Sequence, residues 1–306
     1  MKYEPLSGRE FPRYSGIKTF FRLPHVSLNA DYDVALVGVP YDGGVSYRPG
    51  ARFAPTHVRQ ASSLGRGYHW SRAEHLWEKR KFADIGDCPT VPIHQEQTYA
   101  RIENFFTSIL KSKNKKFIAV GGDHSITLPI LRSVSKKYGV LSLIHFDAHL
   151  DTYPAAWDCE YHHGTFLRHA VEENLVDPKN VLQIGLRGPL VGKDDLAFVK
   201  KYGMRSTTID DIRKNGLESF IKTLPKFTGP TYITFDIDSL DPAFAPGTGT
   251  PVVGGLTTYE AQIILRSLQI KNLVGADVVE ISPSYDHADI TALAAVAVMF
   301  ELMFFC

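Results

Sequence analysis

Eight short apolar runs punctuate this chain, at residues 33–39, 81–85, 117–120, 140–146, 180–184, 205–209, 232–235 and 273–281. Most are continuous rather than alternating, which is the pattern of strands covered on both faces of a sheet. Segments with helical spacing lie between them. Residues 95–111 carry periodic apolar positions, residues 125–138 open on Ser125 and stop at Gly139, and residues 257–267 open T-T-Y-E. A Thr followed three residues later by Glu is a helix start signal. Gly164-Thr165 precedes a further helical candidate at 166–173. Strands alternating with helices predict an α/β protein with a three-layer, doubly wound fold.

No linker, charge run, repeat or low-complexity stretch divides the 306 residues, so one domain over 1–306 is expected, with 1–31 as an aperiodic N-terminal extension. That extension is read as packing on the domain or on a neighbouring subunit. Thirty-four Lys and Arg balance 33 Asp and Glu, for a net charge of +1. This argues against nucleic acid or an anionic membrane surface as partner. The N-terminus lacks the apolar core of a secretory signal. Residues 291–306 are apolar but too short to span a bilayer and carry Glu301, so a buried C-terminal helix is expected. Three scattered cysteines, Cys88, Cys159 and Cys306, fit a reducing cytoplasm rather than a disulfide framework.

The chemistry sits where apolar runs end. Residues 145–151 read H-F-D-A-H-L-D, and extended alternation sends His145, Asp147, His149 and Asp151 to one side. Residues 231–242, T-Y-I-T-F-D-I-D-S-L-D-P, deliver Asp236 and Asp238, with Asp241 beyond. Residues 117–125, F-I-A-V-G-G-D-H-S, present His124 after a tight Gly121-Gly122 passage. A solvated acidic loop is the plain alternative, but such a loop rarely follows an apolar run with His and Asp in strict alternation. Imidazoles and carboxylates suit borderline and hard divalent cations, and their density is costly without them. Three strands ending in ligands describe one site at the carboxyl edge of a parallel sheet.

With these motifs the chain resembles the ureohydrolase family, the arginases and agmatinases, and is most similar to agmatinases and guanidinobutyrases. Further segments carry the likeness: G-V-S-Y-R-P-G-A-R-F-A-P at 44–55, H-H-G-T at 162–165, P-G-T-G-T-P at 246–251 and V-V-E-I-S-P at 278–283. The resemblance implies a mostly parallel eight-stranded sheet and two Mn²⁺ per subunit, with Ni²⁺ or Co²⁺ also compatible with the ligand types. One ion would take His124, Asp147, Asp151 and Asp236; the other would take His149, Asp147, Asp236 and Asp238. It further implies that Asp151 handles a proton, that His163 is the proton shuttle, and that Glu280 receives a guanidinium. A homo-oligomer, trimer or hexamer, is implied as well. Asp241 is read as a structural acceptor at its turn and Asp123 as a cap or brace. Arg48 and Arg52 are read as architectural, and His57, His69, His75, His94, His169 and His287 as bland.

Arginases place an Asn where this chain has Tyr153, and the D-T-Y reading is shared with agmatinases and guanidinobutyrases. Trp157, Asp158 and Glu160 are expected near the pocket mouth, where the two acids would favour an ammonium tail. Agmatine is therefore the lead substrate, with guanidinobutyrate or guanidinopropionate as alternatives. A catalytically inactive scaffold is weighed against this, as is a metallophosphatase. Full retention of ligands, His163 and Glu280 opposes the first, and the lack of a phosphate-cradling loop opposes the second.

Overall fold

The computed structural model describes residues 3–112 and 114–306. Eight strands form the central sheet: β1 (Val34–Gly38), β2 (Phe82–Asp87), β3 (Lys116–Val120), β4 (Leu141–Phe146), β5 (Val176–Leu186), β6 (Arg205–Thr208), β7 (Lys226–Asp236) and β8 (Gln269–Val279). Their order is β2-β1-β3-β8-β7-β4-β5-β6, and every neighbouring pair is parallel. Each expected strand is present. Val140 lies outside its strand and is exposed, whereas β5, β7 and β8 begin several residues earlier than their apolar runs. Backbone pairing extends those strands through polar residues that hydrophobicity does not mark.

Helices cover both faces. Val34 and Leu36 of β1 pack into one core with Val58 of α1 (Ala54–Ala61), Ile264 of α8 (Thr258–Ser267) and Val298 of α9 (Ile290–Met303). The alternate residues Ala35 and Val37 face the other core, with Ile102 of α2 (Gln95–Leu110), Val134 of α3 (Thr127–Tyr138) and Leu167 of α4 (Phe166–Glu172). This is the three-layer arrangement that covered, non-alternating strands require. Three short helices, α5 (Ala197–Tyr202), α6 (Ile209–Lys214) and α7 (Leu217–Lys222), and a hairpin pairing Tyr68–His69 with Glu74–His75 add to the expected set. Each is under two turns or two residues per strand, too short to leave a period in the sequence.

Local chemistry sets the boundaries near the site. Thr257 and Glu260 form the capping box that opens α8. The turn leading into α3 is capped by Asp123, whose carboxylate accepts from Ser125 N, rather than by Ser125 itself. Between β3 and that turn, Gly121 and Gly122 lie at φ +92° and +79°. A Cβ there would come within 2.6 Å of Pro55 or 2.7 Å of the Tyr41 carbonyl, so only glycine passes. The N-terminal extension packs on the domain itself. Phe20 N donates to Asp84 Oδ2 at 2.9 Å and Phe21 N to Ser62 Oγ at 2.8 Å, with both rings buried. Among the described residues no helix is long and apolar enough to cross a membrane.

Candidate active site

The floor of the site is a polar row laid across the sheet. Asp277 (β8), Thr234 (β7), His145 (β4), Gln183 (β5) and Ser206 (β6) are successive cross-strand partners. Ser206 Oγ donates to Gln183 Oε1 at 2.7 Å, and Gln183 Nε2 donates to His145 Nδ1 at 3.1 Å. That leaves His145 Nε2–H to donate to Asp147 Oδ2 at 2.7 Å. On the other side, Thr234 Oγ donates to Asp277 Oδ1 at 2.5 Å, while Thr127 and Tyr232 hydroxyls hold Asp277 Oδ2 at 2.8 Å. In a buried network each donor fixes its neighbour's role.

His124 inherits its orientation from that row. Thr234 has committed its proton to Asp277, so it accepts from His124 Nε2–H at 2.8 Å. His124 Nδ1 therefore turns to the carboxyl edge, where Oδ2 of Asp147, Asp151 and Asp236 each lie 3.1 Å away. A second group adjoins it, with His149 Nδ1 3.3 Å from Asp147 Oδ1 and 3.1 Å from Asp238 Oδ2. Asp147 thus spans both groups, one oxygen to each histidine. Asp236 gives Oδ2 to the first group, while its Oδ1 accepts from Asp238 N at 2.8 Å.

The donor set fits cations. The ligand atoms of His124, Asp147 and Asp151, and those of Asp147, His149 and Asp238, each lie within 4.8 Å of one another. Burial, reinforced by the charges of Asp238 and Asp147, pushes the Asp236 carboxyl well above the usual carboxylate range. Burial disfavours a charged His124, yet its hydrogen bonds to Asp147, Asp151 and Asp236 hold it well above the usual imidazole range. The cluster therefore demands positive charge at this point. One N–H at Nδ1 satisfies a single oxygen at a time, whereas a divalent cation can accept all four donor atoms. His145 also lies within reach of the first group, but both its ring nitrogens are taken by Gln183 and Asp147.

Glu280 directly follows β8 with φ +63°, a left-handed conformation that a non-glycine residue adopts at a cost of about 1–2 kcal/mol. Its Oε1 accepts from His124 N at 2.8 Å and from His163 Nδ1 at 2.9 Å. Its Oε2 is buried without a hydrogen-bond partner among the described residues. An orphaned carboxylate oxygen costs free energy until a donor arrives. Burial lowers the His163 imidazole, but the charge and hydrogen bond of Glu280 outweigh it and raise it to about 9. A cavity of about 140 Å³ opens here, with His149, Asp151 and Asp236 lining it from the cluster side. Ser46, His163, Tyr153, Trp157, His162 and Thr250 complete most of its wall.

The model of the arginase family matches residues 32–305. The chain belongs to the arginase family. A guanidinopropionase of Pseudomonas aeruginosa is 43% identical to it, covering 98% of this chain and 95% of that protein. An agmatinase of Cronobacter sakazakii is 38% identical, covering 93% and 92%. The solved proclavaminate amidinohydrolase of Streptomyces clavuligerus is 40% identical with a TM-score of 0.89, covering 96% of this chain and 98% of that one.

This arginase-family chain brings together all six expected ligands, His163 and Glu280, but not every expected neighbour. Asp158 and Glu160 are exposed and outside the cavity wall, whereas Trp157, expected beside them, does line it. A turn explains the difference: Ala156 and Cys159 pair their backbones, and Trp157 and Asp158 occupy its tip at φ +52° and +57°. Asp241 braces its turn by accepting from the N–H groups of Ala243, Gly254 and Gly255, and Arg52 pairs with Asp42. Several residues escaped the sequence reading. Asp277 left a signal, a carboxylate inside an otherwise apolar run. Arg187 left none, although its guanidinium donates to the carbonyls of Gly185, Asp238, Ser239, Leu240 and Val252 and so ties the Asp236–Asp238 turn down.

Proposed function

We propose that this protein, acting through one ureohydrolase domain over residues 1–306, is an amidinohydrolase that cleaves a short guanidine compound to urea and an amine. The observation that carries the reading is the orphaned Oε2 of Glu280 beside a carboxylate-rich, cation-demanding cluster. A guanidinium offers a planar fork of N–H donors that suits a carboxylate with one oxygen to spare. Two Mn²⁺ would be held by His124, Asp147, Asp151 and Asp236 and by His149, Asp147, Asp236 and Asp238. Bound there, the metals would supply Lewis acidity and a nucleophilic water near neutral pH.

The chain's own groups handle the rest. Glu280 fixes the guanidinium so that its carbon faces the cluster. Asp151, which lines the cavity, accepts the proton that the attacking water loses. The departing amine must be protonated, because an amide anion is too basic to leave. His163 supplies that proton, since Glu280 keeps it charged at neutral pH. His163→Ala is expected to lower turnover by about 10²–10⁴-fold while metal content stays at the wild-type value. Metal loss in that variant would reassign His163 as a ligand.

Agmatine is the lead substrate. A second reading, guanidinobutyrate or guanidinopropionate, is favoured by the exposed placement of Asp158 and Glu160, which removes the expected repulsion of a carboxylate tail. Urea release from agmatine, both guanidino acids and L-arginine by Mn²⁺-loaded protein separates the two. Release from agmatine well ahead of both acids supports the lead, the reverse order supports the second reading, and no release from any compound overturns the amidinohydrolase. We also infer a cytoplasmic homo-oligomer, trimer or hexamer. Exposed Leu6, Phe11, Tyr14 and Ile17 of the extension support an interface there, and a monodisperse monomer in sedimentation would refute it.

A further inference from the structure

His163 stands in a hydrogen-bond chain that its proposed role as proton donor does not by itself explain. Both ring nitrogens are engaged. Nδ1 meets Glu280 Oε1 at 2.9 Å, and Nε2 meets Ser46 Oγ at 2.7 Å and Ser46 N at 3.3 Å. A ring whose nitrogens are both occupied exchanges protons only through a partner. Glu280 leads inward: it is buried, and the same oxygen also accepts from His124 N. Ser46 leads outward, being exposed and in the cavity wall. Its hydroxyl can donate to the neutral ring and accept from the charged one, so one contact serves both protonation states.

We propose that Ser46 is a positioning and proton-relay residue, through which His163 passes its proton to the group leaving in the cavity. The proposal rests on the amidinohydrolase reading and deepens it. The transfer balances without a charge on serine. As His163 Nε2–H gives its proton to Ser46 Oγ, the O–H bond already on Oγ breaks and its proton goes to the departing amine nitrogen. The serine ends as a hydroxyl, the imidazole ends neutral, and its Nδ1–H still donates to Glu280. His163 regains a proton by the reverse path, from water to Ser46 to Nε2. The backbone N–H of Ser46 donates to Nε2 once the ring is neutral, and His163 N donates to Gly44 O at 2.9 Å, so the loop stays at this distance.

The test compares Ser46→Thr with Ser46→Val, a pair equal in shape that differs by one hydroxyl, with Ser46→Ala as a smaller reference. Ser46 is exposed, so none of the three disturbs the core; metal content and melting temperature are recorded alongside. Urea release should show the Val variant about tenfold or more below Thr in kcat, a part of the roughly 10²–10⁴-fold that positioned proton transfer supplies, at similar KM, with Ala also below Thr. The ¹⁵N signal of His163 Nε2 in the metal-free protein should move in Val and remain in place in Thr. Equal turnover in Thr, Ala and Val overturns the relay. So does a loss confined to KM, which would make Ser46 a substrate contact, or a ring signal indifferent to Val. No urea from any guanidine compound with wild type overturns the amidinohydrolase reading instead, and the relay falls with it.

Discussion

Asp147→Asn is expected to abolish both proposed cation sites together and to reduce urea release by at least about 10³-fold, the scale of the several kcal/mol that metal ions contribute to such transition states. The reason is geometric. Oδ2 of Asp147 belongs to the His124 group and Oδ1 to the His149 group. An amide keeps one carbonyl oxygen but presents N–H donors in place of the other, and it removes a negative charge that either cation would need. The floor also fails locally, because His145 Nε2–H donates to Asp147 Oδ2 and would meet an NH₂ in one of the two amide orientations. Metal analysis per chain is the direct measure. A variant that retains one tightly held ion, with half the wild-type metal, would show that the two groups are independent and that Asp147 does not join them.

Glu280→Gln is expected to lower kcat/KM by about 10²–10³-fold while leaving metal content unchanged. The charge-assisted contact between the free Oε2 and a guanidinium, worth about 1.5–3 kcal/mol per hydrogen bond, becomes a neutral one, and the guanidinium loses its ionic partner. The amide carbonyl of the variant side chain can still accept from His124 N, so the fold around the β3 turn should persist. The charge also holds His163 in its protonated form, so the substitution should depress kcat as well as raise KM. A Gln variant with wild-type kinetics would remove Glu280 from substrate binding and leave its orphaned oxygen without a function.

What the sequence disclosed and what it hid follow from the range of the interactions involved. The strands were legible because burial on both faces leaves continuous apolar runs, and the proposed ligands because each follows directly on such a run. The polar row beneath them was not. Asp277, Thr234, His145 and Gln183 lie on four strands scattered over residues 145–277 and become neighbours only through sheet order and register. Ser46 was hidden for the same reason: 117 residues separate it from His163. Of the three residues expected at the pocket mouth Trp157 lines the cavity, whereas Asp158 and Glu160 misled because charge near a motif says nothing about the geometry of a tight, left-handed turn. Asp123 displaced Ser125 as the cap because the α3 segment begins with a turn of 3-10 helix, which shifts the start by residues that periodicity cannot resolve.

The strand order has a consequence for how the protein is made. β8, the last strand to leave the ribosome, belongs in the middle of the sheet, between β3 and β7. Until residues 269–279 emerge, β3 and β7 both stand with unpaired edges, a state open to mispairing with other chains. His124 sits with the early half, and Asp147, Asp151, Asp236 and Asp238 with the late one. Insertion of β8 joins the two halves within the sheet, and its pairing with β3 is short, Ala276–Val278 against Ile118–Val120. A cation shared by His124 and the aspartates would then act as a rivet across this seam. Refolding with metal should accordingly give a higher yield of closed sheet than refolding with chelator, and the difference should vanish in a chain whose sheet has already closed.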